Sequence, residues 1–149
     1  MVGLVGLASC VATGYNAREH VTEMARDFSN RVRWGSFEQA SHHIKQEDRQ
    51  RFVDRHKRLE DELEIADYEL LGLDVDAKRE HALVRVEYTW SMKRRGLVEK
   101  TTTEQHWDRI GSDWLITAEV RTRGSELPLF DEPPTANKKD EATPTNPTK

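Results

Sequence analysis

A single cysteine, Cys10, is all the sulfur chemistry this 149-residue chain offers besides its methionines. That excludes an intrachain disulfide and leaves a cysteine-built zinc site without ligands. Proline is missing from the first 127 residues; all five fall between Pro128 and Pro147. No apolar run approaches the ~20 residues that cross a bilayer as a helix, and only residues 1–9 are continuously apolar or small. Positive charge is not in excess: 23 Lys and Arg stand against 27 Asp and Glu, a net charge of -4. A nucleic-acid partner, whose footprint is a basic stripe, is therefore not expected. No HExxH spacing, glycine-rich phosphate loop, Ser/His/Asp arrangement or catalytic cysteine pattern occurs, so neither a metal nor another cofactor is predicted. What remains suits one domain with a real core, 36% hydrophobic and 34% charged.

The cysteine closes the run Leu7-Ala8-Ser9-Cys10, which resembles the lipobox of bacterial lipoproteins. There, small side chains fit the peptidase on either side of the cut and the thiol carries a diacylglycerol. Val2 to Leu7 looks like the end of a signal-peptide apolar region, although no Lys or Arg precedes Arg18. The expectation is that Met1 lies within a longer signal peptide: residues 1–9 its remnant, 10–16 a lipidated tether. Val11, in place of Asp, favours the outer membrane on its periplasmic side. The alternative is a fortuitous match in a cytoplasmic protein. Myristoylation and prenylation are not indicated, with Val at position 2 and Asn-Pro-Thr-Lys at the C-terminus.

Apolar spacing organises the rest. Val21, Met24, Ala25, Phe28 and Val32 follow the i, i+3, i+4, i+7 pattern of an amphipathic helix. Gly35 interrupts it, and Ser36 is placed to cap a short helix through Phe37, Ala40 and Ile44. A third helix is predicted over residues 46–63, its interleaved Arg and acidic residues marking a solvated face. From Ala82 to Met92 apolar residues take alternate positions, a long half-buried strand. Trp114, Ile116, Ala118 and Val120 repeat the alternation, residues 97–110 form a Thr-rich strand between them, and residues 64–74 form an earlier one that bends or bulges at Gly72. Helices followed by four antiparallel strands predict an α+β fold. The proline- and threonine-rich tail, residues 124–149, is expected to be disordered beyond Phe130, with Leu127, Leu129 and Phe130 able to dock.

The stretch Glu104-Gln105-His106-Trp107-Asp108-Arg109-Ile110-Gly111-Ser112-Asp113-Trp114-Leu115-Ile116-Thr117 resembles the closing hairpin of the NTF2-like, or SnoaL-like, superfamily. The resemblance covers residues 17–123. It implies a cone, with helices closing over a bent sheet around a pocket, and it fixes shape better than chemistry. Enzymes of this superfamily that isomerise or dehydrate place an Asp or His in an apolar pocket.

Strand alternation puts Ala82, Val84, Val86, Tyr88, Trp90 and Met92 on one inward face and Trp114, Ile116, Ala118 and Val120 on the other. Glu87, Glu119 and Arg121 are sent outward. Neither inward face then carries an acid or base. The remaining candidates for catalysis are Asp67, His42 and His43, with Tyr68 and His106 as lesser ones. His42 and His43 are adjacent, about 100° apart on a helix, and do not readily share a metal. Tyr88, Trp90, Trp107 and Trp114 either line a ligand pocket or fill the core, and Trp34 reads as a helix-end packing residue. The expected function is a membrane-anchored, non-enzymatic envelope lipoprotein whose domain binds a partner protein, a second copy, or a small apolar ligand. The alternative is a SnoaL-like enzyme transferring a proton on a hydrophobic substrate from Asp67 or a helix-borne His. A buried carboxylate facing a deep cavity would favour the enzyme, and a filled cone with an apolar exposed patch would favour partner binding.

Overall fold

The computed structural model describes residues 12–129. Helices come first and strands second: α1 (Ala12–Arg33), α2 (Phe37–Ser41), a 3₁₀ turn (Gln46–Asp48), α3 (Arg49–Leu59), then β1 (Leu63–Val75), β2 (His81–Met92), β3 (Val98–Ile110) and β4 (Asp113–Gly124). The strands form one antiparallel sheet in the order β1-β2-β3-β4. This is the expected α+β architecture, with helices packed on one face of a curved sheet.

Helix α1 begins at Ala12, nine residues ahead of the Val21 that opens the apolar stripe. Its Val21, Ala25, Phe28 and Val32 are buried. Gly35, at φ +72°, ends the connection in a left-handed conformation that glycine adopts without strain. Helix α2 stops at Ser41, short of Ile44. Ile44 instead forms a parallel bridge with Ile116, flanked by the bonds Ile116 N–H to the His43 carbonyl (2.7 Å) and Lys45 N–H to the Ile116 carbonyl (3.3 Å). Helix α3 ends at Leu59, and Leu63 opens β1 instead of closing the helix.

The central pair β2–β3 runs without interruption from His81 opposite Asp108 to Ser91 opposite Val98. Both outer strands are bulged. In β1, Ile65 faces Trp90 and Asp67 faces Thr89, so Ala66 is an extra residue; Leu71 is another, beside the predicted Gly72. In β4, Ile116 faces Trp107 and Ala118 faces His106, leaving Thr117 extra, and Thr122 is extra between Arg121 and Arg123. Each bulge bends its strand and raises its twist, so the edges of the sheet curl about the straight centre. The β3–β4 turn is a two-residue Gly111-Ser112 loop with Gly111 at φ +67°, the glycine-first geometry that suits a hairpin's twist.

The chain then folds back. Gly124 has φ +86°, and a Cβ there would stand 2.2 Å from the Lys100 carbonyl oxygen. Thr101 Oγ1 donates to the Ser125 carbonyl at 2.5 Å. Leu127 and Leu129 are buried in the core, so the docking expected of the tail's first residues occurs. Cys10 and the run read as a lipobox, residues 1–9 read as a signal remnant, Phe130 and the proline-rich remainder lie outside the described residues. No helix among those described is long and apolar enough to cross a membrane.

Candidate functional site

The inner face of β3 is polar where its neighbours are apolar. Thr101, Thr103 and Gln105 alternate with outward residues and end at Trp107, and all four are fully buried. Such groups need partners out of reach of water. Thr101 Oγ1 receives the Trp90 indole N–H at 2.9 Å, and Gln105 Oε1 receives that of Trp107 at 3.1 Å. The indole can only donate, so it fixes the Gln105 amide with its NH₂ group turned away. That NH₂ donates to the Tyr88 phenol oxygen (3.2 Å) and to Glu119 Oε1 (3.1 Å).

Glu119 is the centre of this network, and its position corrects the outward face assigned to it by alternation. Thr117 is the cause. The bulge shifts the parity of β4 by one residue, so Trp114 and Ile116 point inward as expected while Ala118 and Val120 do not. Glu119 opposes Gln105 and shares its face. Thr103 Oγ1 (2.8 Å), Gln105 Nε2 and Tyr88 Oη (3.2 Å) all donate to Oε1; Oε2 receives none of the three. Burial pushes the carboxyl pKa up to about 7 against the pull of these three bonds. Burial, and secondly the neighbouring carboxylate, lift the Tyr88 phenol well above its ordinary range, so it serves as a donor.

Beside Glu119 is a cavity of about 100 Å³ between α3 and β4. Ile44, Phe52, Ile116 and Leu129 supply apolar walls, Glu119 and His56 supply polar ones, and Asp48, Arg51 and Arg55 are among the other lining residues. Arg51 and Asp48 pair with each other at 2.6 Å. His56 sits on the apolar stripe of α3, four residues after Phe52, and is 1% exposed. Its Nδ1 lies 2.8 Å from the Phe52 carbonyl. A second cavity of about 270 Å³ lies on the other side of His56 and Leu129, bounded by Val32, Trp34, Phe37 and Ile65 among others.

The residues singled out from sequence fall elsewhere. Asp67 is exposed and pairs with Arg33 at 3.0 Å. His42 is exposed at the end of α2. His43 is enclosed by Phe28 and Trp107 rings and bonds Asp27 through Nε2 at 2.8 Å. Asp27 is held below the usual carboxylate range, chiefly by Arg31 and then by His43, against a burial cost. Tyr68 donates to the Arg26 carbonyl (3.2 Å), and His106 lies on the outer face beside Glu104. Tyr88, Trp90, Trp107 and Trp114 are 0–4% exposed and line neither cavity; they form packed core behind the site. Trp34 does not pack as a helix-end residue: it is 70% exposed, with the Arg33 guanidinium 5.2 Å from its ring centre. Among the described residues no group of three or more His, Cys, Asp or Glu is placed to hold a metal.

Glu119 and His56 were both missed in the sequence. The first had a partial signal: extending alternation back from Trp107 puts Gln105, Thr103 and Thr101 inside, and three buried polar groups in a row call for a polar partner on the next strand. His56 had a plainer one, since it continues the Phe52, Val53, Leu59 stripe.

The fold and site define a small α+β domain with a half-buried acid on the inner face of its sheet. No protein-family model and no curated protein matches the chain. Among solved structures it is similar to a SEC-C motif containing protein from Rhodopseudomonas palustris, at 12% identity and TM-score 0.54, covering 70% of this chain and 76% of that one. It is similar also to a candidate polyketide cyclase from Xanthomonas campestris pv. campestris, at 12% identity and TM-score 0.52, covering 70% and 90%. These likenesses show the fold.

Proposed function

We propose that this is an NTF2-like, SnoaL-like domain that binds a small, mostly apolar molecule beside Glu119 and moves a proton on it. The observation that carries the reading is the convergence of three donors on one oxygen of a half-buried carboxylate, at the edge of a cavity with both apolar and charged walls. Plain strand alternation leaves the inner faces without an acid and predicts a non-catalytic binder; the bulge at Thr117 turns Glu119 of β4 inward. With Oε1 saturated by Thr103, Gln105 and Tyr88, the exchangeable proton belongs to Oε2. A group poised near neutrality suits proton abstraction and return, because it is a competent base and its conjugate acid a competent donor at the same pH. The carboxylate takes a proton from a carbon next to a carbonyl, holds it, and returns it to another carbon or to the same one. The fold likeness to a candidate polyketide cyclase lends support of a general kind.

Hydrogen–deuterium exchange at the α-carbons of 2-butanone in D₂O, followed by proton NMR, tests this. The full chain should accelerate exchange above buffer, and Glu119→Gln should lower the acceleration by at least about 100-fold, the low end of what a positioned base contributes. The acceleration should rise with pH through a single ionisation near 7. His56, which also faces the cavity, is held near 4 by burial and stays neutral across that interval. Equal exchange with both proteins would refute the assignment.

We propose further that Cys10 anchors the domain to a bacterial envelope membrane, outer membrane favoured. Leu7-Ala8-Ser9-Cys10 carries this, and α1 begins two residues later. Expressed with its native upstream region, the protein should take up a fatty-acid analogue and fractionate with membranes, and Cys10→Ser should do neither. An unlabelled, cytosolic wild type would overturn the anchor and leave the Glu119 site untouched.

A further inference from the structure

His56 has one ring nitrogen satisfied and one not. The Phe52 carbonyl can only accept, so Nδ1 carries the hydrogen of the neutral ring and donates it at 2.8 Å. Nε2 is then a bare lone pair. It is fully buried, and no donor among the described residues reaches it. The ring packs against Phe52, whose centroid is 3.9 Å away, and Phe37, at 5.1 Å. It borders both the Glu119 cavity and the larger one beyond Leu129. A buried acceptor without a donor is costly, and native structures seldom leave one unused.

We infer that His56 Nε2 is a ligand contact, and that the molecule bound beside Glu119 carries a hydroxyl or N–H that donates to it. This rests on the acid–base reading of the cavity and narrows its substrate class to hydroxylated or amino-bearing carbonyl compounds. Glu119 on β4 meets the reacting carbon, and His56 on α3 selects the donor from across the cavity. An analogue that replaces the hydroxyl by methyl leaves Nε2 unpaired and is rejected for that reason.

Hydroxyacetone and 2-butanone differ only by hydroxyl against methyl at one end. Their dissociation constants, read from amide shifts of the full chain by NMR, should differ in favour of hydroxyacetone by roughly three- to tenfold, the value of one net hydrogen bond. Glu119→Gln should keep this preference, and His56→Phe should abolish it. Should His56→Phe fold poorly, the Nε2 nitrogen resonance of the wild type serves instead: it should move on adding hydroxyacetone and stay with 2-butanone. Equal affinities, a preference that survives His56→Phe, or no saturable binding of either ketone would overturn the inference. Intact exchange at Glu119 without a hydroxyl preference removes only the role of His56. A hydroxyl preference without exchange removes only the base.

Discussion

At the scale of single residues, Glu119 and His56 act on stability in opposite senses. The folded Glu119 binds its proton more tightly than the ordinary value of 4.5 would allow, with a pKa of about 7. The stability tied to it is therefore complete below 4.5 and lost as pH rises through 7, an effect of order 3 kcal/mol at most. His56 runs the other way. Burial holds it near 4, against an ordinary 6.5, so its share is complete above 6.5 and lost as pH falls towards 4. Between 4.5 and 6.5 the two slopes offset each other, and the wild-type profile should be nearly flat there. Glu119→Gln keeps the volume and most hydrogen bonds while removing the charge. The variant should gain on wild type steadily from pH 5 to pH 8 by about 1–3 kcal/mol, measured by urea denaturation. A constant difference across that range would mean that the carboxyl is solvated.

At the scale of elements, periodicity made the fold legible and bulges hid the site. The β2 alternation placed its ends to within one residue, because Ala82, Val84, Val86, Tyr88 and Trp90 pack on one face with no irregularity against β3 to disturb them. The β4 pattern started correctly with Trp114 and Ile116. It then failed at Thr117, whose extra residue turns Glu119 inward. Nothing in Ile116-Thr117-Ala118 marks a bulge, since its cause is the pairing of β4 with β3 on one side and with Ile44 on the other. Helix α3 was drawn four residues too long because Leu63 continues the apolar spacing. Its contribution to β1 depends on strand pairing with Met92.

At the scale of the whole molecule, the cavity is assembled from three separated parts of the chain: residues 44–56, residues 116–119, and Leu129. Each part reads as ordinary in sequence. Leu129 belongs to a segment whose composition announces a tail, yet the domain is closed by it. Only the tertiary arrangement places His56 and Glu119 on one small cavity, which is why the acids and histidines chosen from sequence proved to be surface or framework residues. The central claim is that Glu119 is a half-buried acid poised near neutrality. Carbon NMR of its side-chain carboxyl, labelled in the full chain and followed from pH 4 to pH 9, tests it directly. The account predicts one titration with a midpoint near 7; a midpoint at the ordinary 4.5 would contradict it.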